Sequence, residues 1–290
     1  MLRKSKKNLS FWAFLAPILI AYVIVQLVPL VTGIYYSFTD WNGIESKTKF
    51  VGLKNYFDIF KDSTFTHSFF FTLKFTILSL IVLNCIAFGL ALLVTRKSKL
   101  NNLLRTIFFM PNLIGGLILG FIWQFIFVQV FASLGSLFNQ KWLLGWLSNS
   151  TTGLIGLVII MAWQMSGYLM IIYITSLENI PAEVLEAAEI DGANGWQKIK
   201  NIIIPLIRPA FTVSIFLTLS NSFKLYDQNL SLTAGGPANS TEMLAMNIYN
   251  TAFQFNHMGV AQAKAVIFFL IVGCISLTQV YFSKKGEVEA

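Results

Sequence analysis

The sequence predicts an all-α polytopic membrane protein with six transmembrane helices, and three observations carry that prediction. Of the 290 residues, 56% are hydrophobic and 12% charged, about half the charged share of an ordinary soluble domain. Six apolar runs, at about 11–38, 68–95, 106–130, 153–177, 202–222 and 262–282, reach the roughly 18–20 residues needed to cross a bilayer. The acidic residues all fall outside these runs, and the basic ones gather at particular ends of them.

The first run follows Arg3, Lys4, Lys6 and Lys7, as a secretory leader would. A leader's apolar core is about 7–15 residues and ends at a small-residue cleavage site. Phe11–Phe38 is much longer and has no such site, so it reads as a retained span with kinks at Pro17 and Pro29. Arg96, Lys97, Lys99 and Arg105 follow the second run with no acid among them, and Lys284 and Lys285 follow the sixth. By contrast, segment 39–67 balances Lys47, Lys49, Lys54 and Lys61 against Asp40, Glu45, Asp58 and Asp62, and 131–152 carries Lys141 alone. Basic residues collect on the cytoplasmic side, which puts both termini and the even-numbered loops there. The net charge of +8 is thereby a matter of topology and membrane lipid, not of nucleic acid.

Outside, Phe50-Val51-Gly52-Leu53-Lys54-Asn55-Tyr56 is amphipathic and aromatic, which predicts a segment along the outer interface. The longest outer loop, 223–261, contains the turn signal Leu232-Thr233-Ala234-Gly235-Gly236-Pro237 and regains helical character at Ile248-Tyr249. Cys85 and Cys274 lie inside apolar runs and are expected to be small buried hydrophobes, without disulfide or metal.

The loop between the fourth and fifth runs, 178–205, departs from the charge pattern. Glu178, Glu183, Glu186, Glu189 and Asp191 outnumber Lys198 and Lys200. Asn179 is expected to cap a short helix with Pro181 in its first turn, and Gly192 to end it as the C′ residue. Asn194 with Gln197 spells a capping box for a second helix entering the fifth run, which Pro205 and Pro209 should bend. Ala187 and Ala188 give this element a small-residue surface on which another backbone could settle.

Ion-driven pumps and membrane enzymes place acids, histidines or nucleophiles at depth. Here no acid lies in a run, neither His67 nor His257 is central, and Lys74, Arg208 and Lys264 are expected to snorkel from near span ends. No phosphate-binding Gly-x-x-x-x-Gly-Lys-Ser/Thr loop occurs, so the chain has no ATPase site and no catalytic residues of its own. The runs do hold Asn84, Asn112, Gln124, Gln164, Tyr168, Tyr173 and Asn221, with Trp123 and Trp163. Amides and aromatic faces suit a neutral, hydroxyl-rich solute, and they equally serve as hydrogen-bonding glue between helices. Gln164 and Tyr168 are four apart and share a face that Trp163 borders. Gly116 and Gly120 make a small-xxx-small pair for helix packing.

Glu186-Ala187-Ala188, then Gly192, then Ile202, Ile204 and Pro205 resembles the EAA loop of membrane subunits of binding-protein-dependent ABC importers, with Ile204 in place of the usual leucine. Phe50–Tyr56, the Leu232–Pro237 turn with Thr241, and Ile248-Tyr249 with Ala252-Phe253 are similar to segments of the carbohydrate-type permeases, the maltose-F/glycerol-phosphate-A-like branch. The resemblance implies a type I importer permease in a bacterial plasma membrane, moving a di- or oligosaccharide. It implies a second permease, a cytoplasmic ATPase dimer carrying the ATP and Mg, and an extracytoplasmic sugar-binding protein. Glu186, Ala187, Ala188, Glu189, Asp191 and Gly192 would form the coupling helix that meets the ATPase, and Trp163, Tyr168 and Asn221 look like sugar-holding positions. Gln164 joins them from the helical face it shares with Tyr168. The other reading, a stand-alone secondary transporter, has no use for such a loop and lacks the intramembrane acids.

Overall fold

The computed structural model describes residues 2–45, 47–96 and 98–285, and for 2–10 the backbone alone; Lys97 of the basic turn lies outside the described residues. Among these residues helix is the only regular structure, apart from one antiparallel bridge between Thr39 and Phe50. That is what an apolar solvent dictates: each spanning segment must satisfy its own backbone N–H and C=O groups. Five helical spans are long and apolar enough to cross a membrane, and a bent pair makes a sixth.

The chain forms two units: the chain up to Asp62 with Ile248–Phe269, and Ser63–Asn247 with the residues from Leu270 onward. In the first unit, α1 (Leu2–Tyr22) and α2 (Val28–Tyr36) join through a wide turn at Val23–Leu27. Pro17 is accommodated inside α1, while the wide turn precedes Pro29, whose missing N–H cannot bond the preceding turn. A short helix α3 (Lys54–Lys61) is tied to the end of that span. Asn55 Nδ2 donates to the carbonyls of Ser37 and Thr39, both at 2.8 Å, while Phe57 and Phe60 stay exposed on its other side. Lys264 does not snorkel as expected. Its ammonium is buried, donating to Asp62 at 2.8 Å and Thr251 Oγ1 at 2.9 Å, because these acceptors satisfy it inside the fold.

In the second unit α4 (Ser63–Val94) packs along α8 (Ser150–Glu178), with α5 (Lys99–Phe109) and α6 (Gly116–Phe125) beside α8; α7 (Phe131–Leu137) follows a second wide turn. Phe75, Leu83, Leu157, Ile160 and Leu169 are fully buried between them. The apolar stretch over 106–130 is interrupted: a 3₁₀ turn at Met110–Leu113 and an extended Ile114–Gly115 separate α5 from α6. Pro111 and the glycine pair 115–116 explain why the helix stops there.

The loop after α8 contains α9 (Ala182–Ile190), α10 (Gly195–Lys198) and α11 (Ile204–Leu206), and leads to α12 (Arg208–Phe223). The bend between Gly195–Leu206 and Arg208–Phe223 is 73°, at Ile207 between the two prolines. The segment after α12 then folds back onto the spans as α13 (Asp227–Leu232) and α14 (Leu244–Tyr249). α13 lies on α6 so closely that a Cβ on Gly116 would strike Gln228 and one on Gly120 would strike Ser231. The last helix, α15 (Met258–Lys285), reaches Thr212 through Gln279 Nε2 at 3.3 Å. Both cysteines are free and exposed, not buried as expected; a thiol facing outward from a span meets an apolar medium anyway.

Candidate functional site

Three helices of the second unit surround a cavity of about 440 Å³, within the range of small-molecule sites. Its wall takes Met161, Gln164, Met165 and Tyr168 from α8, which is the expected i, i+3, i+4, i+7 face. Leu217 and Asn221 come from α12, Asn112 from the break before α6, and Lys224 to Gln228 from the link into α13.

Each polar group is placed differently. Gln164 is fixed on both sides: its Nε2 donates to the Ile114 carbonyl at 3.0 Å and its Oε1 accepts from Gln228 Nε2 at 2.7 Å. It acts as glue that also orients a cavity residue. Asn221 donates to the Leu217 carbonyl at 2.8 Å, which leaves its Oδ1 for the cavity. Tyr168 lies 6.5 Å from Phe109, ring centre to ring centre. Trp163 is parted from these three. It sits one step around α8, against Trp123 at 5.8 Å, on a second and almost wholly apolar cavity of about 700 Å³.

Two other amides named from the sequence are structural. Asn84 Oδ1 accepts from Tyr173 Oη at 2.7 Å and Ser214 Oγ at 2.6 Å, joining α4, α8 and α12. Gln124 Nε2 donates to the Leu232 carbonyl at 3.2 Å, joining α6 to α13. Lys224, Tyr226, Asp227 and Gln228 escaped notice because the apolar run ends at 222. The polar run Lys224-Leu225-Tyr226-Asp227-Gln228 directly after it was the available signal.

The loop between α8 and α12 is built as a short projecting element. Asn179 does not cap α9; it ends α8, and Pro181 holds the N-cap position. Its side chain is spared because the chain turns at Ser176–Ile180 through main-chain bonds alone. The far end is as expected. Gly192 has φ +76°, its N–H bonds the Glu189 carbonyl at 3.1 Å, and Ala193 N–H bonds the Ala188 carbonyl at 2.9 Å. Asn194 and Gln197 form the reciprocal capping box at 2.9 and 2.8 Å.

Ala188 is buried, whereas Glu186, Ala187, Glu189, Asp191 and Gly192 are exposed, as are Ile190 and Trp196. Lys198 Nζ donates to Glu189 at 2.6 Å, and that bond, aided by the charge, holds the Glu189 carboxyl below its ordinary 4.5. At the root of the loop Arg105 donates to the carbonyls of Val94 and Thr95 at 3.0 and 2.8 Å and to Glu178 at 3.0 Å. One guanidinium thus joins the ends of α4 and α8, where it also opposes the negative end of α4.

The family described as binding-protein-dependent transport system inner membrane component matches residues 84–286. The chain belongs to this family. It is 55% identical, over 98% of its length and 97% of the relative's, to the “Probable starch degradation products transport system permease protein” of Thermoanaerobacterium thermosulfurigenes. It is 32% identical, over 99% of both chains, to the multiple sugar-binding transport system permease protein of Streptococcus mutans serotype c. Among solved structures, a chain of a bacterial ABC transporter involved in import of the acidic polysaccharide alginate superposes with a TM-score of 0.83 over 98% of both chains, at 20% identity. The fold is therefore that of an ABC importer permease, and this inner-membrane component is a multi-pass transport subunit.

Proposed function

We propose that this binding-protein-dependent permease moves an uncharged di- or oligosaccharide inward through the cavity on α8 and α12, driven by ATP hydrolysed on partner chains. The observation that carries the reading is connectivity. The exposed loop at α9 joins the two helices that supply the cavity's polar wall, Gln164 and Tyr168 on α8 and Asn221 on α12.

A partner that grips α9 acts on both walls at once. Glu186, Ala187, Glu189, Asp191 and Gly192 present carboxylates and small surfaces beside exposed Ile190 and Trp196, a contact face for a cytoplasmic ATPase dimer. Motion of α9 passes through the capped turn at Gly192–Asn194 and the 73° bend at Ile207 into α12. The sugar comes from an extracytoplasmic binding protein, and a second permease closes the translocation path. ATP and Mg belong to the ATPase chains, and both termini of this subunit face the cytoplasm. The names of the starch-product and multiple-sugar relatives support the solute class. ¹⁴C-maltotriose uptake by proteoliposomes holding the full transporter tests the reading. Tyr168→Ala with Asn221→Ala should cut uptake at least tenfold with unchanged co-purification of the ATPase. Unchanged uptake would overturn the cavity assignment.

A further inference from the structure

The cavity wall carries two opposite charges, and neither has a partner among the described residues. Lys224 follows the last residue of α12 and Asp227 opens α13, both with exposed side chains. Neither group belongs to the ion pairs Arg105–Glu178, Lys198–Glu189 and Lys264–Asp62. Ser231 Oγ bonds the main-chain carbonyl of Asp227 at 2.7 Å and leaves its carboxylate unused. Every other polar residue on the wall is an amide or a phenol.

Resting on the reading of this cavity as the sugar site, we propose that Asp227 and Lys224 make it charge-balanced and selective for uncharged oligosaccharides, with Asp227 refusing anionic ones. A sugar hydroxyl both donates and accepts. The Asp227 carboxylate is the strongest acceptor on the wall, and Lys224 the strongest donor to ring and hydroxyl oxygens. The two formal charges sum to zero, so a neutral ligand brings no uncompensated charge into the cavity. A uronate or a phosphorylated sugar meets Asp227 as a like charge in surroundings less polar than water, where such repulsion is strong. Lys224 offsets that repulsion only while Asp227 leaves it free. Removing the carboxylate therefore reverses the preference, and removing the ammonium does not. The backbone of α13 that carries Asp227 is held in place where Gln228 and Ser231 pack closely on Gly116 and Gly120.

The test is saturation-transfer NMR titration of maltotriose and of trigalacturonate against the purified permease–ATPase complex in nanodiscs, without the binding protein. The wild type should bind maltotriose and not trigalacturonate. Asp227→Asn should weaken maltotriose about tenfold and bring trigalacturonate binding into range, while Lys224→Gln weakens maltotriose and still excludes the acid. Matching melting temperatures of the isosteric variants show that folding is intact. Maltotriose binding unaltered by Asp227→Asn, or an acid still refused by it, overturns the charge filter alone. A wild-type complex that binds neither sugar overturns the sugar reading itself.

Discussion

Gln228 on α13 is held by Gln164 on α8: its Nε2 donates to Gln164 Oε1 at 2.7 Å, while Gln164 reaches on to the Ile114 carbonyl at 3.0 Å. A residue predicted from the helical face alone thus serves two purposes, fastening the break between α5 and α6 and aiming a cavity amide. Gln164→Leu leaves the Ile114 carbonyl and the Gln228 amide without these partners. A part-buried group so orphaned costs about 1–3 kcal/mol. The expected outcome is a lower melting temperature of the purified subunit. The apparent KM for maltotriose uptake should also rise several-fold, because Gln228 is no longer fixed.

The Asn84 cluster predicts a graded series in stability. Tyr173→Phe removes one of two hydroxyl donors to Asn84 Oδ1 and leaves Ser214 bonded, at a loss of about 1 kcal/mol. Asn84→Leu strips the acceptor from both hydroxyls and should lose more, about 2–3 kcal/mol. Unfolding in mixed micelles with increasing dodecyl sulfate measures both. Equal losses from the two variants would show that Ser214 contributes nothing through this bond.

How much of this was legible in the sequence depends on whether a signal was local. The cap at Asn194–Gln197, the left-handed Gly192 and the bend between Pro205 and Pro209 are decided by neighbouring residues, so their types announced them. The face shared by Gln164 and Tyr168 follows from helical geometry, and it did reach the cavity. Trp163 shows the limit of adjacency: one residue along a helix is a turn of about 100°, enough to place it on another cavity. Asp227 and Glu242 were harder still. Both lie outside the apolar runs, yet α13 rests on α6, and the Glu242 carboxylate accepts from Ser68 of α4 at 3.3 Å. Hydropathy reports what a segment tolerates, not which span a loop folds back against. The same holds for Lys264, whose carboxylate acceptor Asp62 lies 202 residues away in sequence.

The Lys198–Glu189 ion pair in the loop between α8 and α12 has a stated pH window. Lys198 depresses the Glu189 carboxyl below 4.5, so whatever order it lends the loop is complete above 4.5 and is lost as pH falls through the depressed value. Over the neutral range the Glu189 carboxyl stays ionised. Hydrogen exchange of the amides in 189–198, compared between wild type and Glu189→Gln, should show a constant acceleration in the variant from pH 6 to 8. The two should converge in acid, once the wild-type carboxyl is itself protonated. A ratio drifting through neutrality would mean that another group governs the loop.

Gly192 separates a backbone requirement from a spatial one. A Cβ built there meets nothing within 4 Å in this chain, so bulk alone is harmless to the isolated subunit. The φ of +76° is the constraint, costing a non-glycine residue about 1–2 kcal/mol, less for asparagine. Gly192→Asn should therefore keep the Schellman turn and the Ala193-to-Ala188 bond, while Gly192→Val should unwind the end of α9. In reconstituted transporter the valine variant is expected to insert normally, to retain ATP hydrolysis and to lose most uptake. The asparagine variant should keep uptake near wild type if the turn is what matters. Equal loss from both would transfer the constraint from the backbone of this chain to the surface pressed against it, since only a neighbour close to Gly192 penalises asparagine as heavily as valine.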